Sequence, residues 1–194
     1  MKKFSIFLCF LCFLCVTTHA QSFKDLFLKM PQEVCPALSE YNRLEIVDNQ
    51  KNDKTMQTRN FFRTFSTMKE LTDDYAYLIV SPQSEKEFKM LTKHDGTRII
   101  MVISTILCDN TPDSSVAFYT TDWKPLPTLD YYTLSNVDHF RKVTIDKDTD
   151  QLTVTSTNSP LLLQADGSGK DKEPFTLKYT LRWSSEKSQF ILND

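Results

Sequence analysis

"YAYLIVSPQSEKEFKMLTKHDGTRIIMVIST", residues 75–105, decides the fold. Its two ends, 75–81 and 98–105, are apolar and β-branched, the pattern of buried strands. Between them Asp95-Gly96 marks a hairpin turn, because these residue types tolerate the positive φ angles that a tight turn demands. Strand, turn and strand predict an antiparallel ladder.

The strand pattern continues toward the C-terminus. "VTIDKDTDQLTVTS" (143–156) predicts a second hairpin in which Val143 and Ile145 answer Leu152 and Val154. "FTLKYTLRW" (175–183) alternates cleanly: Phe175, Leu177, Tyr179, Leu181 and Trp183 face one way, and Thr176, Lys178, Thr180 and Arg182 the other. That is a sheet with one buried and one wet face. "TLSNVDHF" (133–140) predicts one helical turn capped by Ser135, and 165–174 a polar loop.

Upstream of residue 75 the spacing turns helical. "SFKDLFLKMP" (22–31) sets Phe23, Leu26, Phe27 and Met30 on one face, with Ser22 as cap, Asp25 in the first turn and Pro31 as stop. Two more short helices are expected, in 31–41 and, capped by Asn42, in 43–50. Residues 51–69 are polar apart from Phe61, Phe62 and Phe65 and give no assignment. No repeat or linker divides the chain. The expected class is α+β: short N-terminal helices packed on a mostly antiparallel β-sheet, one domain over 21–194.

Residues 1–20 read as a secretory signal: Lys2 and Lys3, the apolar run 4–16, then Thr18-His19-Ala20, with cleavage expected after Ala20. The run is shorter than the roughly 20 apolar residues of a membrane span. Cys9, Cys12 and Cys15 lie in it, but Leu11 and Leu14 precede two of them where a lipidated cysteine follows a small residue. A soluble exported product, periplasmic or extracellular and without a membrane span, is the expectation. The chain's formal net charge is −2, and losing Lys2 and Lys3 makes it more negative. Charges of both signs are interspersed, which argues against nucleic acid as a partner. Cys35 and Cys108 remain after cleavage. A disulfide between them would close a loop of about 70 residues and contribute ~4 kcal/mol; two buried thiols are the alternative.

Catalytic chemistries find little support. "GSGKD" (167–171) has Gln164 and Asp171 where a phosphate loop needs glycine and a hydroxyl. Asp146, Asp148 and Asp150 have calcium-loop spacing, but Gln151 replaces the glycine and Thr157 the final acid. Cys35, Cys108, His94 and His139 lie at no metal-ligand spacing, and no GxSxG elbow exists. No cofactor and no metal are expected.

The remaining candidate is "CDNTPDSSVAFYTTDW", residues 108–123. Thr111-Pro112-Asp113 has turn chemistry, with a strand leaving it and Trp123 as an anchor. Its functional reading makes Asp113, Ser114, Tyr119 and Trp123 a recognition surface.

"LFLKMP", "YNRLEIVD", "LTDDYAYLIVS", "EFKMLT", "RIIMVISTI", "PDSSVAFYTTDWKPL" and "FTLKYTLRW" occur in an order that resembles a family of exported bacterial proteins catalogued as domain of unknown function 3256. The chain departs from that pattern at 51–69. The resemblance implies an envelope or secreted location in a Gram-negative bacterium, and brings no activity, cofactor or catalytic residue. Two functions follow. One is a non-catalytic binding or structural module of the envelope, with an envelope protein or glycan as partner. The other is a hydrolase with an acid-based site near Asp109 and Asp113.

Overall fold

The structure, a computed structural model, describes residues 22–52, 54–108, 111–133, 140–157 and 176–193. The expected helical turn at 133–140 falls outside them except for its two ends, and the loop at 165–174 falls outside them entirely. Two helices, α1 (Phe23–Leu28) and α2 (Glu40–Lys51), precede the strands. These are β1 (Gln57–Arg59), β2 (Phe65–Leu71), β3 (Tyr75–Ser81), β4 (Ser84–Thr92), β5 (Arg98–Cys108), β6 (Thr111–Thr120), β7 (Pro125–Leu126), β8 (Phe140–Asp146), β9 (Gln151–Thr157), β10 (Thr176–Ser184) and β11 (Gln189–Leu192).

The protein is more β-rich than the expected α+β class. Residues 31–39 form turns in place of a helix, because Pro31 and Pro36 each remove an amide donor within one short stretch. α2 begins earlier than expected. Ser39 caps it, and Asn42 is the reciprocal half of the capping box, its Oδ1 accepting the Ser39 N–H at 3.0 Å. The Asn42 amide also donates to Thr58 Oγ1 and to the Arg59 carbonyl, pinning α2 to β1. α1 forms as its spacing predicts, with Phe23, Leu26, Phe27 and Met30 essentially fully buried.

Two antiparallel sheets replace the single one expected: β1 to β7 as a meander in sequence order, and a smaller sheet ordered β11-β10-β9-β8. The reason lies in β4 and β5, which bury residues on both faces along most of their length and so need a layer on each side. Phe88, Met90, Ile100 and Val102 meet α1 and α2; Leu91, Ile99, Met101 and Ile103 meet Val143, Ile145, Leu152, Val154, Leu181 and Trp183 of the small sheet. Burial of each large side chain contributes about 2 kcal/mol.

The hairpin register agrees with the sequence reading. Val143 pairs with Val154 and Ile145 with Leu152. At the β4–β5 turn only Gly96 takes a positive φ, +79°. In β10, Leu181 and Trp183 are buried as the alternation predicts, but Leu177 is exposed. The expected turn at Thr111-Pro112-Asp113 is instead the start of β6. Pro112 is tolerated there because it sits opposite Leu107, whose own N–H donates away from it, to the Gln83 carbonyl; no ladder bond is lost.

Candidate functional site

The four residues expected to form a recognition surface are distributed over two faces of the large sheet. Ser114 Oγ lies 2.8 Å from Thr105 Oγ1 and accepts the Val143 N–H at 3.0 Å. Asp113 Oδ1 accepts the Arg141 N–H at 3.3 Å, and Glu87 Oε2 the Ile145 N–H at 3.4 Å. Residues 141, 143 and 145 are alternate positions on the edge strand of the small sheet. Side chains of the large sheet thus satisfy edge donors that would otherwise need water. Trp123 is only 6% exposed and turns the other way: its indole Nε1 donates to the Leu26 carbonyl at 3.0 Å, and its ring packs on Phe88 and Tyr119. Its φ of 61° is unusual for a bulky residue, and the burial of the indole offsets the strain. Asp109, the other acid of the hydrolase reading, lies outside the described residues.

A charged seam joins the two sheets. Lys89, 3% exposed, donates to Asp74 Oδ2 (2.7 Å), Asp150 Oδ1 (3.0 Å) and the Lys147 carbonyl (2.6 Å). Burial disfavours its ammonium, but the two carboxylates together outweigh that and raise its pKa. Burial raises the Glu87 pKa, although the Ile145 N–H and the Tyr75 hydroxyl favour its charged form. Asp150, of the calcium-like triad, serves this seam, while Asp146 Oδ1 accepts the N–H groups of Asp148 and Thr149. The hairpin tip is closed by its own acids. Among the described residues no cluster of three His, Cys, Asp or Glu side chains can hold a metal.

A group of exposed apolar residues lies elsewhere, around the β3–β4 turn. Phe61 and Phe62, 77% and 61% exposed, meet edge to face at 5.9 Å. They stand on a turn built by buried Asn60. Its amide nitrogen lies 2.8–3.0 Å from Thr64 Oγ1, Ser66 Oγ and the Val80 carbonyl, while its oxygen accepts the Phe62 and Thr64 N–H groups. Arg63 completes the turn at a φ of 64°, and the Phe61 N–H donates to the Ala37 carbonyl at 2.9 Å. The two rings are therefore held outward by a satisfied polar scaffold. Ile106 and Leu107 of β5, 51% and 42% exposed, lie at the same end.

Two cavities open there on opposite faces of the sheet. One, of about 520 Å³, runs between Ile79, Pro82, Leu107 and Pro112. The other, of about 210 Å³, has Cys35, Ala37 and Val80 as floor and Phe62 and Ile106 at the rim, with Lys86 and Ser104 in its wall. Cys35 is a free thiol here, fully buried, and burial raises its pKa above the ordinary thiol value; the Cys108 side chain lies outside the description. In the sequence this end is marked by "FFRTF" (61–65) within an otherwise polar stretch.

Fold and site together define a helix-capped antiparallel two-sheet protein, knitted by polar side chains between its layers and carrying the exposed Phe61 and Phe62 at one end. The chain belongs to the family described as Protein of unknown function (DUF3256), whose model matches residues 15–189. Among solved structures it is similar to that of a domain of an uncharacterized protein from Porphyromonas gingivalis W83. The two share 19% identity over 88% of this chain and 97% of the other, with a TM-score of 0.69, which is a likeness of fold. No curated protein matches the sequence. No described helix is long and apolar enough to cross a membrane.

Proposed function

We propose that this chain is a non-catalytic binding module that acts after export, in the periplasm or outside the cell. Its ligand is a small molecule with an apolar body, taken at the end of the sheet that carries Phe62 and Ile106. One observation carries this reading: buried Asn60 braces a turn that exposes two phenyl rings beside a largely apolar cavity, and ties that turn to β2 and β3. Holding such rings in water is unfavourable, so a scaffold dedicated to it supports a contact surface. An apolar rim suits such a ligand better than the glycan or protein partner expected from the sequence, since sugars need convergent polar groups. Asp113 and Ser114 bond the edge of the small sheet and contribute to this module as structure.

A neutral solvatochromic dye such as Nile red tests the proposal. The protein should give a saturable emission increase at one equivalent, weakened at least about tenfold in Phe62→Ser/Ile106→Ser with an unchanged melting transition. A non-saturable increase, or equal binding by the variant, would refute the reading.

A further inference from the structure

The smaller cavity contains a cation, Lys86, that pairs with no carboxylate among the described residues. Lys86 and Ser104 face each other across β4 and β5, and the Lys86 ammonium donates to Ser104 Oγ. Among the described residues no carboxylate lies within ion-pair distance of it. Its chain neighbour Glu85 is engaged on the opposite side of the strand, accepting from the Tyr77 hydroxyl at 2.6 Å and pairing with Lys142 at 3.8 Å. Ser84, Glu85 and Thr105 also border the cavity, but their side chains bond Ser81, Tyr77 and Ser114 respectively; the remaining lining is apolar, with Cys35, Pro36, Ala37 and Val80 inside and Phe62 and Ile106 outside. A half-buried ammonium with one neutral hydroxyl partner is an incomplete arrangement, since buried charges are normally paired. Burial lowers its pKa below that of an ordinary lysine, against the opposing influence of the Cys35 sulfur.

We infer that this cavity takes the carboxylate of a short-chain amphiphile, with the carboxylate inward against Lys86 and Ser104 and the apolar stem leaving between Phe62 and Ile106. This deepens the binding-module reading and rests on it. Charge selects the head group: one ammonium and one hydroxyl donor match the two oxygens of a carboxylate. Size selects the stem. About 210 Å³ is below the 300–1,000 Å³ or so of sites that enclose a drug-sized ligand, so a long acyl chain would extend past the rim and over Phe61 and Phe62.

The test is calorimetric titration of the protein with octanoate and with 1-octanol, repeated on Lys86→Met and Lys86→Arg. Octanoate should bind the parent saturably, lose about tenfold or more in affinity in Lys86→Met and recover in Lys86→Arg, while octanol is indifferent to both changes. Equal octanoate and octanol affinities, unaffected by Lys86→Met, would overturn the carboxylate assignment and leave the apolar-ligand reading standing. If neither compound binds although the melting transition shows all three proteins folded, both readings fail.

Discussion

Lys89 Nζ lies 3.0 Å from Asp150 Oδ1, which ties the tip of the β8–β9 hairpin to the centre of the large sheet. Removing the carboxylates should cost far more than removing the lysine, because it strands a buried charge. Asp74→Asn/Asp150→Asn is expected to lose about 3 kcal/mol in urea unfolding, and Lys89→Met less than about 1 kcal/mol. The folded-state pKa of Lys89 is raised, so its contribution is complete below the unfolded value of 10.5 and fades as pH climbs through the folded one. The parent should lose stability on that alkaline limb more steeply than Lys89→Met.

Glu87 gives a pH dependence at the acid end. Its folded pKa is also raised, so the protonated form suits the fold and the penalty for ionisation appears as pH rises above 4.5. Glu87→Gln retains an acceptor for the Ile145 N–H and the Tyr75 hydroxyl. It should match the parent at pH 4 and melt higher at pH 7; a variant that is equally stable at both would show that Glu87 ionises without cost.

Ser114→Ala would leave the Val143 N–H without its acceptor. The expected loss is about 1–3 kcal/mol, with faster amide exchange at Val143 and little change at the N–H groups of β8 that pair with β9. Uniform acceleration across the small sheet would mean that the side chain supports the whole layer.

Trp123→Ala should cost about 3–5 kcal/mol, the range for emptying a buried aromatic site, and should free α1 for proteolysis because the tie to the Leu26 carbonyl goes with it. If instead stability held while ligand binding fell, Trp123 would belong to the recognition surface that its sequence context suggested.

Cys35 should resist alkylation in the folded protein and react fully in urea without reductant, as a buried free thiol does. A residue that reacts only after reduction would place it in a bridge with Cys108.

The local patterns in the sequence determined the elements. Phe23, Leu26, Phe27 and Met30 at helical spacing, the alternation in β9 and β10, and Asp95-Gly96 between apolar runs each act over a few residues, so neighbours along the chain suffice to specify them. What the tertiary structure alone decided is which face each strand shows to which layer. The run at 75–81 and its partners are apolar on both faces, and such a pattern states burial without saying what covers it; α1 and α2 cover one side and the small sheet the other. The same holds for the polar residues. Asp113 and Ser114 meet residues nearly thirty positions away, Glu87 and Lys89 reach 58 positions along the chain, and Trp123 bonds across 97. No spacing along the chain encodes those partners, which is why the bonds of Asp113, Ser114 and Trp123 within the fold are not legible from the sequence. Conversely Lys86, unremarkable among interspersed charges, stands out only once folding has placed it in a largely apolar cavity with a hydroxyl beside it and, among the described residues, no carboxylate paired with it.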